Sequence, residues 1–447
     1  MNETRQLVKF VAETTFGDLP PGLVEEFRIT VLDTIAAALV GSAQPWARMV
    51  LEMVHQLGGK PEASIIGQPA KTDISRAALA NGTLIGSFEA EPLTGSHASG
   101  TVIPAALAVA QREHLDGRAF ITALATGYEV QGRIARTAVG LELERGFHNP
   151  GTQGPFGVAM AVGKLMGFDE ATLVNSMGIA GSCSAGLLEF AWEGANTKRI
   201  HLGRASQLGL ESALLAHKGF TGPSTVLEGR YGYYNAFSMP TSLERLLEGL
   251  GETWVIRPSS HKSYATHVTH QAVVHAIREF KQKHPFDPKT ITRVVIKGPH
   301  RIMEERHADR VPSSVMGGQY SLPFTTSVAL TRDMADPLVY NDEAVWDPVV
   351  RDLALRIDLV PDEGASHGAM GSAEITLEFD GQRHVLQAKP HKGSPMNPFT
   401  WEEICEKFRR FTARVISEPQ AFAIIEAVGS LPDTQDMATV AETTAST

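Results

Sequence analysis

Sixteen histidines are spread through the 447 residues. Those in Gly-rich or polar stretches, rather than in apolar stripes, have surroundings that suit proton transfer. His97 lies in EAEPLTGSHASGTVIPAALA, with Glu89 and Glu91 before it and a predicted helix N-terminus after it, where unpaired N–H groups attract an anion. A carboxylate beside an imidazole tunes the ring toward neutral pH, the working range of a general base. His148 lies in RGFHNPGTQGPFG, where Gly and Pro favour a constrained, non-helical backbone that presents the ring from a loop. Each taken singly is also what a loop histidine bonded to backbone looks like. Lys198, Arg199, His201 and Arg204 crowd into EGANTKRIHLGRASQLG, a basic patch in an acidic chain. The patch suits a substrate with two or more carboxylates, and equally a solvated helix start paired with Glu193.

A fourth group, HKSYATHVTHQAVVHAI (261–277), holds His261, Lys262, Tyr264, His267, His270 and His275 where a second domain is expected to begin. Domain junctions are favoured ligand positions. His267 and His270 stand three apart with His275 beyond, but the H-E-x-x-H spacing is absent and no carboxylate or thiol ligand accompanies them, so no metal is expected. Gln319, Tyr320 and Ser321 in GGQYSLPF offer further hydrogen bonds, or the packing of an apolar turn. No G-x-G-x-x-G follows a strand, G-x-x-x-x-G-K-[ST] does not occur, and GASHG (364–368) is not read as a G-x-S-x-G nucleophile elbow, which disfavours nicotinamide, nucleotide and serine-hydrolase chemistry. Acid/base chemistry without a cofactor is the expectation. Proton abstraction next to a carboxylate needs a base near pH 7, and cations that hold carboxylates and stabilise an enolate-like charge.

The elements that carry these residues fall into two kinds. The chain is about three times a typical domain of roughly 150 residues, so two domains are expected. From Leu23 to about Leu250 the pattern is helical: Phe27, Val31, Ile35 and Leu39 recur at helical spacing, and segments 102–111 and 119–137 read as buried bundle helices. GFHNPGTQGPFG (146–157) reads as a break from helix. Past Arg257, ITRVVIK (291–297) and ITLEF (375–379) are strand-like, and Asp380–Gly381 with RHVLQAK completes a hairpin. EAVWDPVVRDLALRI (343–357) between them has helical spacing. The reading is therefore an all-α domain over 1–256, an inserted α+β domain over 257–396, and a return to the first through 397–433, with WEEICEKFRRFTARVI as an amphipathic helix. Residues 434–447 are expected to be a disordered tail.

Composition narrows the partners. Hydrophobic residues are 43% and charged residues 20%, an ordinary globular balance. The net charge of −10 without a long basic run argues against nucleic acid and against a membrane surface. The opening MNETRQLVKF lacks a secretory core, no apolar run spans a bilayer, and Cys183 and Cys405 cannot form a disulfide framework, so a cytoplasmic setting is expected. Both thiols read as structural.

In this order the motifs resemble the MmgE/PrpD family, whose members include 2-methylcitrate dehydratase, cis-aconitate decarboxylase and iminodisuccinate epimerase. LDTIAAALVGS (32–42), ANGTLIGSFEAE (80–91) with SHASGTVIPAALA (96–108), GFHNPGTQGPFGVAMAVGKLMG, TKRIHLGRAS, HKSYATHVTH, QYSLPF and GSPMNPFTWEEICEKFR follow the family's series over nearly the whole length. The resemblance implies a large all-α domain interrupted by a smaller α+β lid domain, a homodimer, and a small di- or tricarboxylate substrate held between the domains. Carried over by motif, the catalytic residues are His97, His148, Lys198, Lys262 and one of His267 or His270. Glu89, Arg199, His201, Tyr264 and Tyr320 are the implied substrate contacts. Members that eliminate water or carbon dioxide carry a D-x-D-D-T-like run where this chain reads Glu89, Ala90, Glu91, Pro92, Leu93. Loss of that Asp pair and hydroxyl weakens activation of a leaving hydroxyl more than removal of a carbon-bound proton. The expectation is therefore an epimerase of an iminodisuccinate-like amino dicarboxylate, with dehydration of a 2-methylcitrate-type hydroxy-tricarboxylate as the alternative.

Overall fold

The structure is a computed structural model and describes residues 2–93, 96–138, 140–239, 242–257, 259–363 and 372–445. The chain divides into two compact units, one formed by 1–188, 197–260 and 400–447, the other by 189–196 and 261–399. The first is a largely helical domain and the second a smaller α+β domain inserted into its sequence.

The first unit is built around helices with almost no polar face. Ala98–Arg112 and Asn149–Leu165 are buried along nearly their whole length and are rich in Ala and Gly, so neighbouring helices approach to backbone contact. Helix Thr197–His217 packs against Asn149–Leu165, Ile74–Ile85, Glu170–Cys183 and Ala98–Arg112. At its crossing with Ile74–Ile85 there is room only for glycine. A Cβ on Gly203 would lie 2.2 Å from the Leu79 carbonyl oxygen, and one on Gly82 would lie 2.7 Å from Gly203 Cα. A two-stranded ribbon, β1 (Ala63–Ser64) and β2 (Lys71–Thr72), sits beside this bundle and leads into the helix capped by Asp73.

Two sequence expectations change here. GFHNPGTQGPFG is not an extended loop: only Gly146, Phe147 and His148 stand outside the helix, which starts at Asn149 and contains Pro150 in its first turn and Pro155 inside. Pro150 sacrifices no hydrogen bond there, because first-turn N–H groups have no partner within the helix. The glycines serve packing instead, since a Cβ on Gly157 would lie 2.6 Å from the Gly127 carbonyl oxygen. The tail expected to be disordered from 434 onward forms a helix over Met437–Thr443 with Met437, Ala438, Val440 and Ala441 buried. Asp436 caps it and Met437 N donates to the Leu115 carbonyl. Four small apolar side chains suffice because a formed bundle offers them a surface.

The second unit holds a four-stranded sheet in the order β4-β3-β5-β6, with β3 Ile291–Gly298, β4 Ile357–Pro361, β5 Ala373–Phe379 and β6 Gln382–Ala388. β4 runs parallel to β3, and the other pairs are antiparallel. The hairpin turn at Asp380 and Gly381 has positive φ at both residues, the conformation that a two-residue hairpin of right-handed twist demands. Segment 343–357 is not one helix: Asp347 caps a second start at Pro348, and Ile357 already belongs to β4. Proline ends the first helix, and the buried, β-branched Ile357 pairs with Val294. Among the described residues no helix is long and apolar enough to cross a membrane.

Candidate active site

In the first unit the chain leaves helix Ile74–Ile85 and reaches helix Ala98–Arg112 through a loop held in unusual backbone conformations. Glu89 (φ 54°), Ser96 (φ 66°) and His97 (φ 62°) are left-handed although none is glycine. Such residues cost on the order of 1–3 kcal/mol each, and they persist where surrounding structure fixes side chains for a task. Glu89 is fully buried and forms an ion pair with Lys198, which is equally buried at the start of helix Thr197–His217. Glu91 is buried beside them, with an oxygen 2.8 Å from His97 Nδ1. That carboxylate orients the imidazole and compensates its charge when the ring carries two protons.

His148 comes from the turn ahead of helix Asn149–Leu165. Its backbone N–H donates to the Gly186 carbonyl, and its ring lies 6.2 Å from that of His97, centroid to centroid. Nδ1 of His148 is 2.9 Å from Nδ1 of His201. Burial holds His148 well below the usual histidine range, and His97 and His201 add to the effect. His201 is lowered too, by burial first and then by Lys198 one turn earlier on its helix. The first unit therefore gathers Glu89, Glu91, His97, His148, Lys198 and His201.

Arg199, expected as a substrate contact, is engaged by groups of the protein. It is buried, donates to the Ser87 carbonyl, and its guanidinium lies 3.8 Å over the Trp46 ring, which stacks on Phe88. Those contacts make it a brace beneath the turn that presents Glu89. Arg204 is exposed and bonds to Gln207. In the E-A-E run each carboxylate is engaged, Glu89 with Lys198 and Glu91 with His97.

The second unit gathers the other predicted residues around Lys262, which is buried. Tyr264 OH lies 2.9 Å from His275 Nδ1. Gln319 donates from Nε2 to the Ala265 carbonyl, and its own carbonyl accepts from His267 N and Thr266 Oγ1. His261 N donates to the carbonyl of Gly393, whose positive φ and lack of Cβ let the GSPMNPF loop close over it. Sequence reasoning missed His307. Its Nδ1 donates to the Tyr320 carbonyl, and its ring centroid lies 4.5 Å from that of His267 and 5.2 Å from that of His270. Nothing in the local spacing of EERHADR announces this; the only signal is one more histidine in a polar stretch.

The nitrogens of His267, His270 and His307 lie within 4.8 Å of one another, the geometry from which a metal site is made. The set is all imidazole. His267 is held well below the usual range by burial, then by His307, His270, Lys262 and Arg306, and the field of those two cations opposes a dication as it opposes a proton. Burial keeps the His267 and His270 rings in the neutral form, which is also the form that ligates a metal. Cys405 is buried and its thiol is pushed up to about 11 by burial, away from what a nucleophile needs.

Buried carboxylates paired with Lys198 and His97, beside a neutral His148, are an arrangement capable of acid/base chemistry. The cis-aconitate decarboxylase-like protein oryM of Aspergillus oryzae is 25% identical, over 98% of this chain and 96% of its own. The cis-aconitate decarboxylases of Aspergillus terreus and Homo sapiens are each 24% identical, covering 98% and 94% of this chain and 95% and 90% of theirs. Residues 5–246 match the MmgE/PrpD N-terminal domain and residues 264–431 the MmgE/PrpD C-terminal domain, and the chain belongs to the MmgE/PrpD family.

Proposed function

We propose that this protein is a lyase acting on a tricarboxylate of the citrate or aconitate class, by acid/base chemistry that needs no cofactor. The observation that carries this reading is the buried pairing of Glu89 with Lys198 and of Glu91 with His97, around a neutral His148. Elimination requires a base for a carbon-bound proton, an acid for the leaving group and a cation for the carboxylate that takes up negative charge. His148 is the base: its burial keeps the Nε2 lone pair available at neutral pH. His97 is proposed as the acid, its ring held in place by the Glu91 carboxylate at Nδ1. Lys198 holds the substrate carboxylate and stabilises the enediolate-like charge, with Glu89 fixing its ammonium group. Lys262, Tyr264, His267, His270 and Tyr320 are proposed as candidate site residues of the second unit in their own right.

The expected lean toward epimerisation is set aside as the main reading because the similar proteins named above are cis-aconitate decarboxylases or decarboxylase-like, while Glu89 and Glu91 still supply buried carboxylates beside Lys198 and His97. Epimerisation of an amino dicarboxylate remains the second reading, favoured by Pro92 and Leu93 standing where the family's eliminating members carry an acid and a hydroxyl. The homodimer and the cytoplasmic setting are part of this proposal, and sedimentation velocity checks the dimer.

Proton NMR in D₂O with 2-methylcitrate, cis-aconitate and iminodisuccinate stereoisomers decides among these. New alkene signals, with water or carbon dioxide lost, are the expected result. Deuterium entering Cα with inverted configuration and no alkene would replace the lyase with the epimerase.

A further inference from the structure

The polar neighbour of His148 Nδ1 is another imidazole. The two Nδ1 atoms of His148 and His201 are 2.9 Å apart, with ring centroids at 5.1 Å and planes inclined by 43°. A contact that short between two ring nitrogens holds one proton, since one must donate and the other accept. The two neutral rings are therefore in opposite tautomers. Gly186 packs against the pair: a Cβ there would lie 3.6 Å from His201 Nδ1 and 3.5 Å from the His148 carbonyl oxygen.

We propose that His201 is the proton relay and positioning residue of His148, an inference that rests on the lyase reading above. The substrate C–H bond breaks, its electron pair stays with the substrate and its proton forms the N–H bond at His148 Nε2. The Nδ1 proton of His148 crosses to His201 Nδ1, and His201 releases its own Nε2 proton to water. Both rings end neutral with tautomers exchanged. Reset after product leaves runs the transfers backwards: water returns a proton to His201 Nε2, the Nδ1 proton passes back to His148, and His148 Nε2 gives its proton to water, while His97 is the group that protonates the leaving group.

The relay answers a physical difficulty. His148 is only 5% exposed, so an imidazolium ring there is costly. A base at this position works well only if the charge it would gain is passed on at once. His201 keeps more exposure and is joined to His148 by a direct hydrogen bond. Lys198 lies one turn away and disfavours charge on His201 as well, so the proton is handed to solvent and not stored. The part expected for His201, a direct contact to a substrate carboxylate, fits less well, because its Nδ1 is committed to His148.

Full-length His201→Ala and His201→Asn variants test this with whichever tricarboxylate the wild type turns over. His201→Ala is expected to lower kcat about 100-fold, within the range for losing acid/base assistance, with KM changed less than about threefold and activity partly restored by added imidazole. His201→Asn keeps a hydrogen bond to His148 Nδ1 but carries no proton onward, so it should hold KM and recover only a small part of kcat. A rise in KM with kcat unchanged would mean an anion contact and overturn the relay. A second readout needs no substrate: long-range ¹H–¹⁵N spectra of histidine-labelled protein should show His148 and His201 in opposite tautomers. Finding both rings in the same tautomer overturns the proposal even if turnover is seen. Opposite tautomers without turnover of any tricarboxylate would sustain the pair and instead sink the lyase reading.

Discussion

Lys198 and Glu89 illustrate how an interaction can serve function at a cost in stability. Each is fully buried, and stripping two charges of water costs several kcal/mol per ion, which their attraction must offset. Lys198→Met should destabilise by about 3–5 kcal/mol because it leaves Glu89 buried without its partner. Lys198→Met with Glu89→Gln should lose less, since both charges are gone. Activity should be lost in both, by at least about 100-fold. Chemical denaturation and steady-state rates on the same preparations check this, and an active double variant would remove Lys198 from the site. Glu142, just ahead of the His148 turn, gives a pH prediction. Burial raises its carboxyl to about 8, against a lowering contribution from Gln153, whose Nε2 donates to it. A raised folded value means the native state holds the proton more tightly than the unfolded chain. The associated stability is fully present below the unfolded value near 4.5 and is lost as pH rises through about 8. Between pH 6 and pH 9 the wild type should therefore lose about 2–3 kcal/mol that Glu142→Gln, still able to accept from Gln153, keeps. Thermal unfolding of both at the two pH values measures it; parallel curves would refute the raised carboxyl. Of the site residues, His97, His148 and Lys198 were legible because their flanking Gly, Pro and charge are local signals. His307 and the jobs of Glu91 and Arg199 were not, because they are defined by partners 6 to more than 100 positions away.

At the scale of elements, helix Thr197–His217 carries Lys198 and His201 and is positioned by its crossing with Ile74–Ile85. The site therefore depends on Gly203, which has no chemistry of its own. Gly203→Ala gains up to about 1 kcal/mol of helix propensity. It also drives a methyl group to 2.2 Å from the Leu79 carbonyl oxygen and 2.3 Å from Thr83 Oγ1. Overpacking of that kind costs about 1–3 kcal/mol and can be relieved only by moving the helix. The expected outcome is a lower unfolding midpoint together with a fall in kcat, as the Lys198 and His201 end shifts away from Glu89. A stabilised, fully active variant would show that the crossing does not set the site. The same physics explains where sequence reading of elements succeeded and failed. Buried helices and the Asp380–Gly381 hairpin follow from periodicity and turn chemistry within a few residues. Glycine in GFHNPGTQGPFG carries two meanings, release from helix and close approach of helices, and only the partner backbone near Gly127 selects the second. Pro348 likewise restarts the helix that begins at Asp342, and pairing of Ile357 with Val294 overrides the apolar spacing that runs on from Val349.

The molecule as a whole is organised by a chain that leaves its first unit and returns to it. Residues 400–447 rejoin the bundle after the second unit is complete. Helix Trp401–Thr412 packs on helix Pro21–Ser42, where Lys407 forms a fully buried ion pair with Asp33 and lies 4.8 Å from the centre of the Phe411 ring. Arg28 on the same long helix lies 4.5 Å over Trp401, and the closing helix packs on Ala98–Arg112. The contacts that complete the first unit thus form only after about 140 intervening residues have been closed into a loop, whose entropy cost grows slowly with length. That cost is tolerable because the returning helices bury apolar surface and supply the counter-charge to Asp33. A chain ending at residue 399 lacks both. It exposes the outer faces of Pro21–Ser42 and Ala98–Arg112 and leaves Asp33 without Lys407, a loss of about 3–5 kcal/mol from the ion pair alone against a whole-domain stability of about 5–15 kcal/mol. Residues 1–399 should therefore lack a cooperative unfolding transition in circular dichroism and be cut by protease throughout the first unit. Full-length Lys407→Met should keep the transition at a lower midpoint. Cooperative unfolding of 1–399 near the wild-type midpoint would show that the returning segment decorates the bundle and does not complete it.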